Sequence, residues 1–278
     1  MMTIVEQIKH ATQLRWNRVH KFKAKILMSL DVGPYQIKTA ETSKELVESF
    51  KLRHEVFNQE FRGIYECGLD FDRYDYYFDH LIIVHKETRK IIGTYRLNCS
   101  SFSEESYTSS EFDISLLLLQ PGPHLELGRA CIHKNYRKGS VISLLWRGIA
   151  EYMNLSQSNI LFGCSSLKIN NARESALVYK YLLDQGSITF DFPCKPTKAY
   201  QMKDFDSWYT FFKKELTEKQ TIEAEELVPS LLKSYLKLGA KIACEPAYDN
   251  DFDCIDLLTV LKKDELSNSL AEKFQVVR

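Results

Sequence analysis

Apolar residues recur along this chain at two spacings, and the switches between them mark out its elements. Alternation or short apolar runs predict strands at Tyr35 to Ala40, His80 to Val84, Ile91 to Leu97, Leu125 to Ile132, Ile160 to Ser165 and Ile255 to Leu261. Glu87-Thr-Arg-Lys90, between the second and third of these, reads as the turn of a hairpin. Helical spacing predicts helices from Thr42 through Phe57, from Val141 to Met153, from Ala172 to Asp184 and from Leu227 to Leu238. Thr42-Ser-Lys-Glu45 has the form of a capping box at the start of the first. Residues 58–79, 100–110 and 187–222 lack either period and read as loops. The resulting order implies one α/β domain with a mixed sheet.

The most informative stretch is 125–153. A strand feeds a short basic turn, Tyr136-Arg137-Lys138-Gly139-Ser140, and the turn opens a long helix. The unpaired N–H groups at such a helix start form an anion site suited to the phosphates of a carrier. The alternative is an ordinary strand–turn–helix connection. The strand itself is apolar apart from Glu126 and Arg129. A carboxyl on a buried strand is a candidate general base, and Arg129 points to the opposite face unless a bulge intervenes. The competing reading of Glu126 is a structural one, paired with a buried arginine such as Arg53 or Arg96.

Composition narrows the picture mainly by exclusion. Of the 278 residues, 44% are hydrophobic and 27% charged, and Lys+Arg and Asp+Glu are both 37. A formal net charge of zero, with no recognisable motif, argues against a nucleic-acid partner. The seven cysteines, at 67, 99, 131, 164, 194, 244 and 254, form no CxxC pair, so neither a zinc site nor a disulfide framework is expected. Cys131 and Cys164 read as buried thiols, not nucleophiles. Asp249-x-Asp251-x-Asp253 begins like a calcium loop, but Cys254 stands where glycine is needed and Val260 where glutamate is needed. No metal is expected.

Residues 1–33 stand apart. Residues 1–30 carry six Lys/Arg against one acid, Glu6, with apolar residues at helical intervals through Val19, Phe22 and Ile26. A basic amphipathic helix can lie on an anionic membrane surface, although a domain-packed helix is the plainer alternative. Residues 34–265 form the expected catalytic domain and 266–278 a tail. The odd cysteine count and the absence of a secretory signal core imply a cytoplasmic protein, peripheral on a membrane at most.

The element order, with its basic glycine turn after the fourth strand, resembles the GNAT acyltransferase fold: a mixed central sheet flanked by helices. Within it, ELGRACIHKNYRKGSVISLLWRGIAEYM at 126–153 resembles the signature block of the ornithine-lipid type N-acyltransferases, relatives of the acyl-homoserine-lactone synthases. Arg53-x-x-x-Phe57, Asp72-x-x-Asp75 and Gly93-Thr-Tyr-Arg96-Leu are similar to further blocks of that group. YTSSEFDIS at 107–115 and LVPSLLKSYLKLGAKIACEPAYDNDFDCIDLL at 227–258 are similar to the lipid-synthase branch in particular. The likeness covers about residues 35–265. One departure is the lack of the tryptophan usual after the Phe57 position, where this chain has Asn58-Gln-Glu-Phe-Arg-Gly-Ile-Tyr65.

The resemblance implies transfer of a long acyl chain, 3-hydroxylated or plain, to the α-amine of an amino acid, with ornithine the first expectation. The donor would be an acyl-phosphopantetheine thioester on acyl-carrier protein or coenzyme A, and no cofactor would be held permanently. Glu126 and Arg129 would be catalytic. Arg53, Phe57, Asp72, Asp75 and Arg96 would hold the acceptor, with the charged ones in an ion-pair network that includes Arg129. Arg137, Lys138, Gly139 and Ser140 would take the carrier phosphate. The rival readings are another amine such as glycine or tyrosine, a lactone synthase, a short-chain acetyltransferase, and a membrane-active protein without catalysis.

Overall fold

The computed structural model describes residues 18–66, 68–137 and 140–266. Strands are β1 (Ser29–Val32), β2 (Tyr35–Thr39), β3 (Asp79–His85), β4 (Lys90–Cys99), β5 (Phe112–Asp113), β6 (His124–Ile132), β7 (Ile160–Leu167), β8 (Lys195–Pro196), β9 (Lys241–Ile242), β10 (Ala247–Asp249) and β11 (Cys254–Lys262). Helices are α1 (Ser43–Arg53), α2 (Thr108–Glu111), α3 (Ser115–Leu118), α4 (Ser140–Ser156), α5 (Ala172–Asp184), α6 (Phe205–Phe211), α7 (Glu218–Leu227) and α8 (Ser230–Lys237). They fall into two compact units: Met1–Asn98 with Leu127–Ser156, and Cys99–Glu126 with Gln157–Arg278.

In the first unit the strand order is β1-β2-β3-β4-β6. β3 is buried on both faces, and its period of two sorts the layers. Ile82 and Val84 face α1 through Leu46 and Phe50, with Val19 and Phe22 beside them. Leu81 faces α4, where the close approach requires Gly148: a Cβ there would lie 2.7 Å from Ile37 and 2.9 Å from Leu81. The Thr42 capping box is present, its hydroxyl accepting from Glu45 N at 3.2 Å while the Glu45 carboxylate accepts from Thr42 N at 3.1 Å.

In the second unit β6 pairs in parallel with β7, from His124 opposite Ile160 to Glu126 opposite Phe162. β7 pairs antiparallel with β11, and β11 with β10. Ile255 and Leu257 pack with α5 and α8 residues Val178, Leu182 and Leu232, while Leu258 and Val260 pack with Phe112, Leu117 and Phe162.

Three sequence expectations need correction. The helix expected over 1–30 is not continuous among the described residues: only 18–20 are helical, and Ser29–Val32 is a strand, paired with β2 around Gly33 (φ 54°). Strand pairing satisfies backbone groups there that a helix would have left exposed at its end. The part of that expectation on residues 1–17 lies outside the described residues. The first helix gives way after Arg53 to a π-helical segment, His54–Phe61, that carries Phe57. Residues 187–222, read as irregular, hold α6 and the start of α7; aromatic packing among Tyr179, Phe205 and Tyr209 replaces the regular apolar stripe on α6.

Candidate active site

The first unit gathers all five charged residues expected in a network, and adds a sixth. Arg53, fully buried at the end of α1, donates from Nη1 and Nη2 to both oxygens of Asp75 (2.6 and 3.0 Å) and from Nε to Asp70 (2.8 Å). Arg96, on β4, donates from Nη1 to both oxygens of Asp72 (2.7 and 2.8 Å) and to Asp75 (3.2 Å). Arg129 reaches Asp72 at 3.3 Å and Asp70 at 3.5 Å. Three arginines thus face three aspartates. Burying so many charges is tolerable only because each meets an opposite charge in good geometry. Asp70 was missed because the sequence offered it only as one acid in an irregular loop.

The segment holding the aspartates is built locally. Asp72 accepts from Tyr74 N at 2.8 Å, and Asp75 accepts from Asp72 N at 2.7 Å, the reciprocal caps of a short 3-10 turn. Burial opposes charge on Asp75, yet the Arg53 and Arg96 guanidinium groups hold its carboxyl far below the usual range. Arg53 and Asp75 spend these polar atoms on one another inside the unit. Asp72 and Arg129 keep partly exposed side chains, which makes them the members able to meet a ligand.

Arg129 adopts φ 50°, a left-handed conformation costly for a residue with a Cβ. The backbone of β6 thus leaves regular extended geometry at this residue. Its guanidinium lies 6.0 Å from the Phe57 ring centroid, so the π-helical segment and β6 bring two expected site residues together.

Beside this network His80 is fully buried, its Nε2 3.2 Å from the Asp75 carbonyl oxygen. Burial, opposed by Asp75 and reinforced by Arg53, pushes its pKa down to about 4. The folded state therefore keeps a neutral imidazole. Between about pH 4 and 6.5 the unfolded chain binds a proton here that the folded chain does not, so stability rises with pH across that window, by on the order of 3 kcal/mol. Asp75 acts elsewhere: its stabilisation is complete above about pH 4 and is lost only as pH falls further. Denaturant titrations from pH 4 to 7 should show a slope shallower by close to one proton in His80→Gln than in the wild type. Equal slopes would show that His80 is not the linked group.

In the second unit Glu126 is buried and held at the start of α2. One oxygen accepts from both the backbone N–H and the hydroxyl of Thr108 (each 2.6 Å), and the other accepts from Tyr107 N (3.2 Å). These donors tie Glu126 to the start of α2. The contact secures orphan N–H groups of a one-turn helix that has no cap of its own.

The carrier-phosphate residues are only partly visible. Arg137 is exposed, pairs with Glu60 at 2.7 Å and donates from Nε to the Ile132 carbonyl at 2.9 Å. Lys138 and Gly139 lie outside the described residues, and Ser140 opens α4. His133 is a loop histidine whose Nδ1 accepts from Asn135 N. Cys131 and Cys164 have thiols pushed up by burial, which removes them as thiolate nucleophiles. Among the described residues no helix is long and apolar enough to cross a membrane.

Residues 52–147 match the model of the acetyltransferase (GNAT) domain. An L-ornithine N(alpha)-acyltransferase from Rhodobacter capsulatus is 26% identical over 256 residues, covering 86% of this chain and 93% of the relative. Enzymes of the same name from Brucella abortus and Agrobacterium fabrum are 28% and 27% identical, covering 85% and 83% of this chain and 87% and 81% of their own lengths. Among solved structures, a CoA-dependent acyl-homoserine lactone synthase aligns at 13% identity with a TM-score of 0.45, covering 84% of each chain. The mixed sheet with flanking helices and the matched domain give this acyltransferase a GNAT fold, and along most of its length the chain is similar to the L-ornithine N(alpha)-acyltransferases.

Proposed function

We propose that this chain transfers a long fatty acyl group, 3-hydroxylated or not, from the phosphopantetheine thioester of an acyl-carrier protein to the α-amine of ornithine. The product is a lyso-aminolipid. The observation that carries this reading is the near end-to-end similarity to relatives of that name, which leaves little of either chain unmatched. In the reaction the amine nitrogen attacks the thioester carbonyl, the C–N bond forms and the C–S bond breaks. The carrier thiol leaves with the electron pair and takes a proton, and the nitrogen gives one up.

Within this proposal Glu126 accepts the amine proton, directly or through water. Backbone N–H groups of β6 polarise the carbonyl. Asp72 and Arg129 offer a carboxylate and a guanidinium to an amino-acid zwitterion, within a frame set by Arg53, Phe57, Asp75 and Arg96. Arg137, Lys138, Gly139 and Ser140 receive the carrier phosphate. Residues 34–265 are the catalytic domain, and the basic side chains of residues 1–33, whose described apolar positions pack on the core, draw it to the anionic surface where the product belongs.

Mass spectrometry of lipids from a host that makes 3-hydroxyacyl carrier protein and expresses this chain tests the reading. The expected result is a new N-acyl ornithine. An N-acylated glycine, tyrosine or homoserine lactone would overturn the amine assignment. The absence of any new lipid despite confirmed expression would overturn the donor assignment.

A further inference from the structure

A second group of acids lies in the second unit, and the proposed reaction makes no use of it. Glu111 closes α2, Asp249 ends β10 and Asp256 lies on β11. Antiparallel pairing sets Ala247 opposite Asp256, so Asp249, two residues on, shares its face of the sheet. Each of the three offers a carboxylate oxygen, and those oxygens lie within 4.8 Å of one another. All three residues are buried, with Glu111 at 0% exposure.

Two observations separate this cluster from an ordinary acidic patch. Neither oxygen of Glu111 meets a donor in good hydrogen-bond geometry, with only the Cys164 thiol and Tyr107 beside it, although the side chain is fully buried and directed into the group. A buried carboxylate left without a donor costs several kcal/mol in the absence of a counter-charge. The other two carboxylates are fixed from behind: Ser166 Oγ donates to Asp256 at 2.6 Å, and the backbone N–H groups of Asp251 and Phe252 donate to one oxygen of Asp249 at 2.7 and 3.1 Å. Ligands of a metal are oriented in this way by their own outer hydrogen bonds.

We propose that Glu111, Asp249 and Asp256 bind a divalent cation of the hard, oxygen-preferring class. Oxygens at about 2.1 Å from Mg2+ or about 2.4 Å from Ca2+ are separated across the ion by about 4.2 to 4.8 Å, which the group spans. One ion neutralises all three acids together, whereas one proton serves a single pair. Softer ions fit less well. The three ligand atoms brought together are all carboxylate oxygens. The site also has a structural reach, because Glu111 ends the one-turn helix whose first residue, Thr108, holds Glu126. A bound ion anchors that helix from its other end. The inference does not depend on which amine or acyl donor the enzyme uses.

The test uses the full chain, stripped with a chelator and titrated separately with Ca2+, Mn2+ and Mg2+ by calorimetry and thermal melting. One ion per chain is expected, with the melting temperature rising by about 5 °C or more at saturation. Glu111→Gln and Asp256→Asn each remove a buried charge, so their metal-free forms should melt no lower than the metal-free wild type. They should bind the ion at least tenfold more weakly and lose the thermal response. No binding of any of the three ions at millimolar concentration would overturn the proposal, as would unchanged binding in both variants. A melting-temperature rise with L-ornithine alone that vanishes in Glu111→Gln would overturn it too, and would reassign the group to an organic ammonium.

Discussion

Arg53→Ala should destabilise the first unit by about 3–5 kcal/mol, the cost of breaking a buried ion pair from one side. The guanidinium is fully buried and donates to two different carboxylates, Asp70 and Asp75. Removing it leaves Asp75 buried with Arg96 as the remaining arginine partner, at 3.2 Å. Asp70 keeps the longer contact to Arg129 at 3.5 Å. Arg53→Lys should recover only part of the loss, because a single ammonium cannot reproduce the planar fork that meets both oxygens of Asp75 while Nε serves Asp70. Thermal melts of the three proteins at pH 7.5 would check this, with a fall of roughly 10 °C expected for alanine and an intermediate value for lysine. A change under 1 kcal/mol in Arg53→Ala would mean that the network is not what holds α1 to the aspartate-bearing turn.

The regular elements were legible because each is specified locally. α5 begins and ends where its apolar period predicts, with Asn171 accepting from Glu174 N as its cap. The β3–β4 hairpin and the β6-to-α4 connection followed from spacing and turn residues in the same way. Residues 29–32 did not read as a strand because they fall at the end of the basic segment and at the boundary that closes it. Only pairing with Tyr35–Thr39, a contact outside the window, makes them a strand. Local pattern cannot see a competing partner.

The site divides along the same line. Asp72 and Asp75 were visible only through the resemblance, and their mutual capping of one turn is what the structure adds. The π-helical segment that places Phe57 beside Arg129 has no counterpart in apolar periodicity. The acid group of Glu111, Asp249 and Asp256 was invisible for a different reason. A scan for metal loops looks for ligands close in sequence, and the DxDxD run here contributes one ligand only. The other two come from a helix end far earlier in the chain and from the next strand, brought together by sheet topology.

Glu126→Gln should lower kcat for acyl transfer by about 10²–10⁴-fold, the usual contribution of a general base, while the protein still folds. The substitution is close in shape, so its structural cost can be read from the contacts. The glutamine oxygen can keep both Thr108 donors, but its NH2 group would face Tyr107 N, leaving one donor unmet at about 1–2 kcal/mol. Thr108→Val gives the companion measurement, since it deletes one of these donors and leaves the carboxylate in place. If Glu126 accepts the amine proton, Glu126→Gln loses kcat and the acid-limb dependence of kcat/KM on pH, whereas Thr108→Val loses only a few-fold and keeps the profile. If Glu126 serves only to hold α2, the two variants should fall by similar, small factors with profiles unchanged, and the base assignment fails. The geometry makes the distinction sharp, because the same carboxylate is buried on the strand, fixed by three hydrogen bonds, and positioned where the parallel β6–β7 register ends. A carboxylate kept only for capping α2 would lose little kcat on replacement by glutamine, and the ratio of the two kcat losses measures how much more than capping it does.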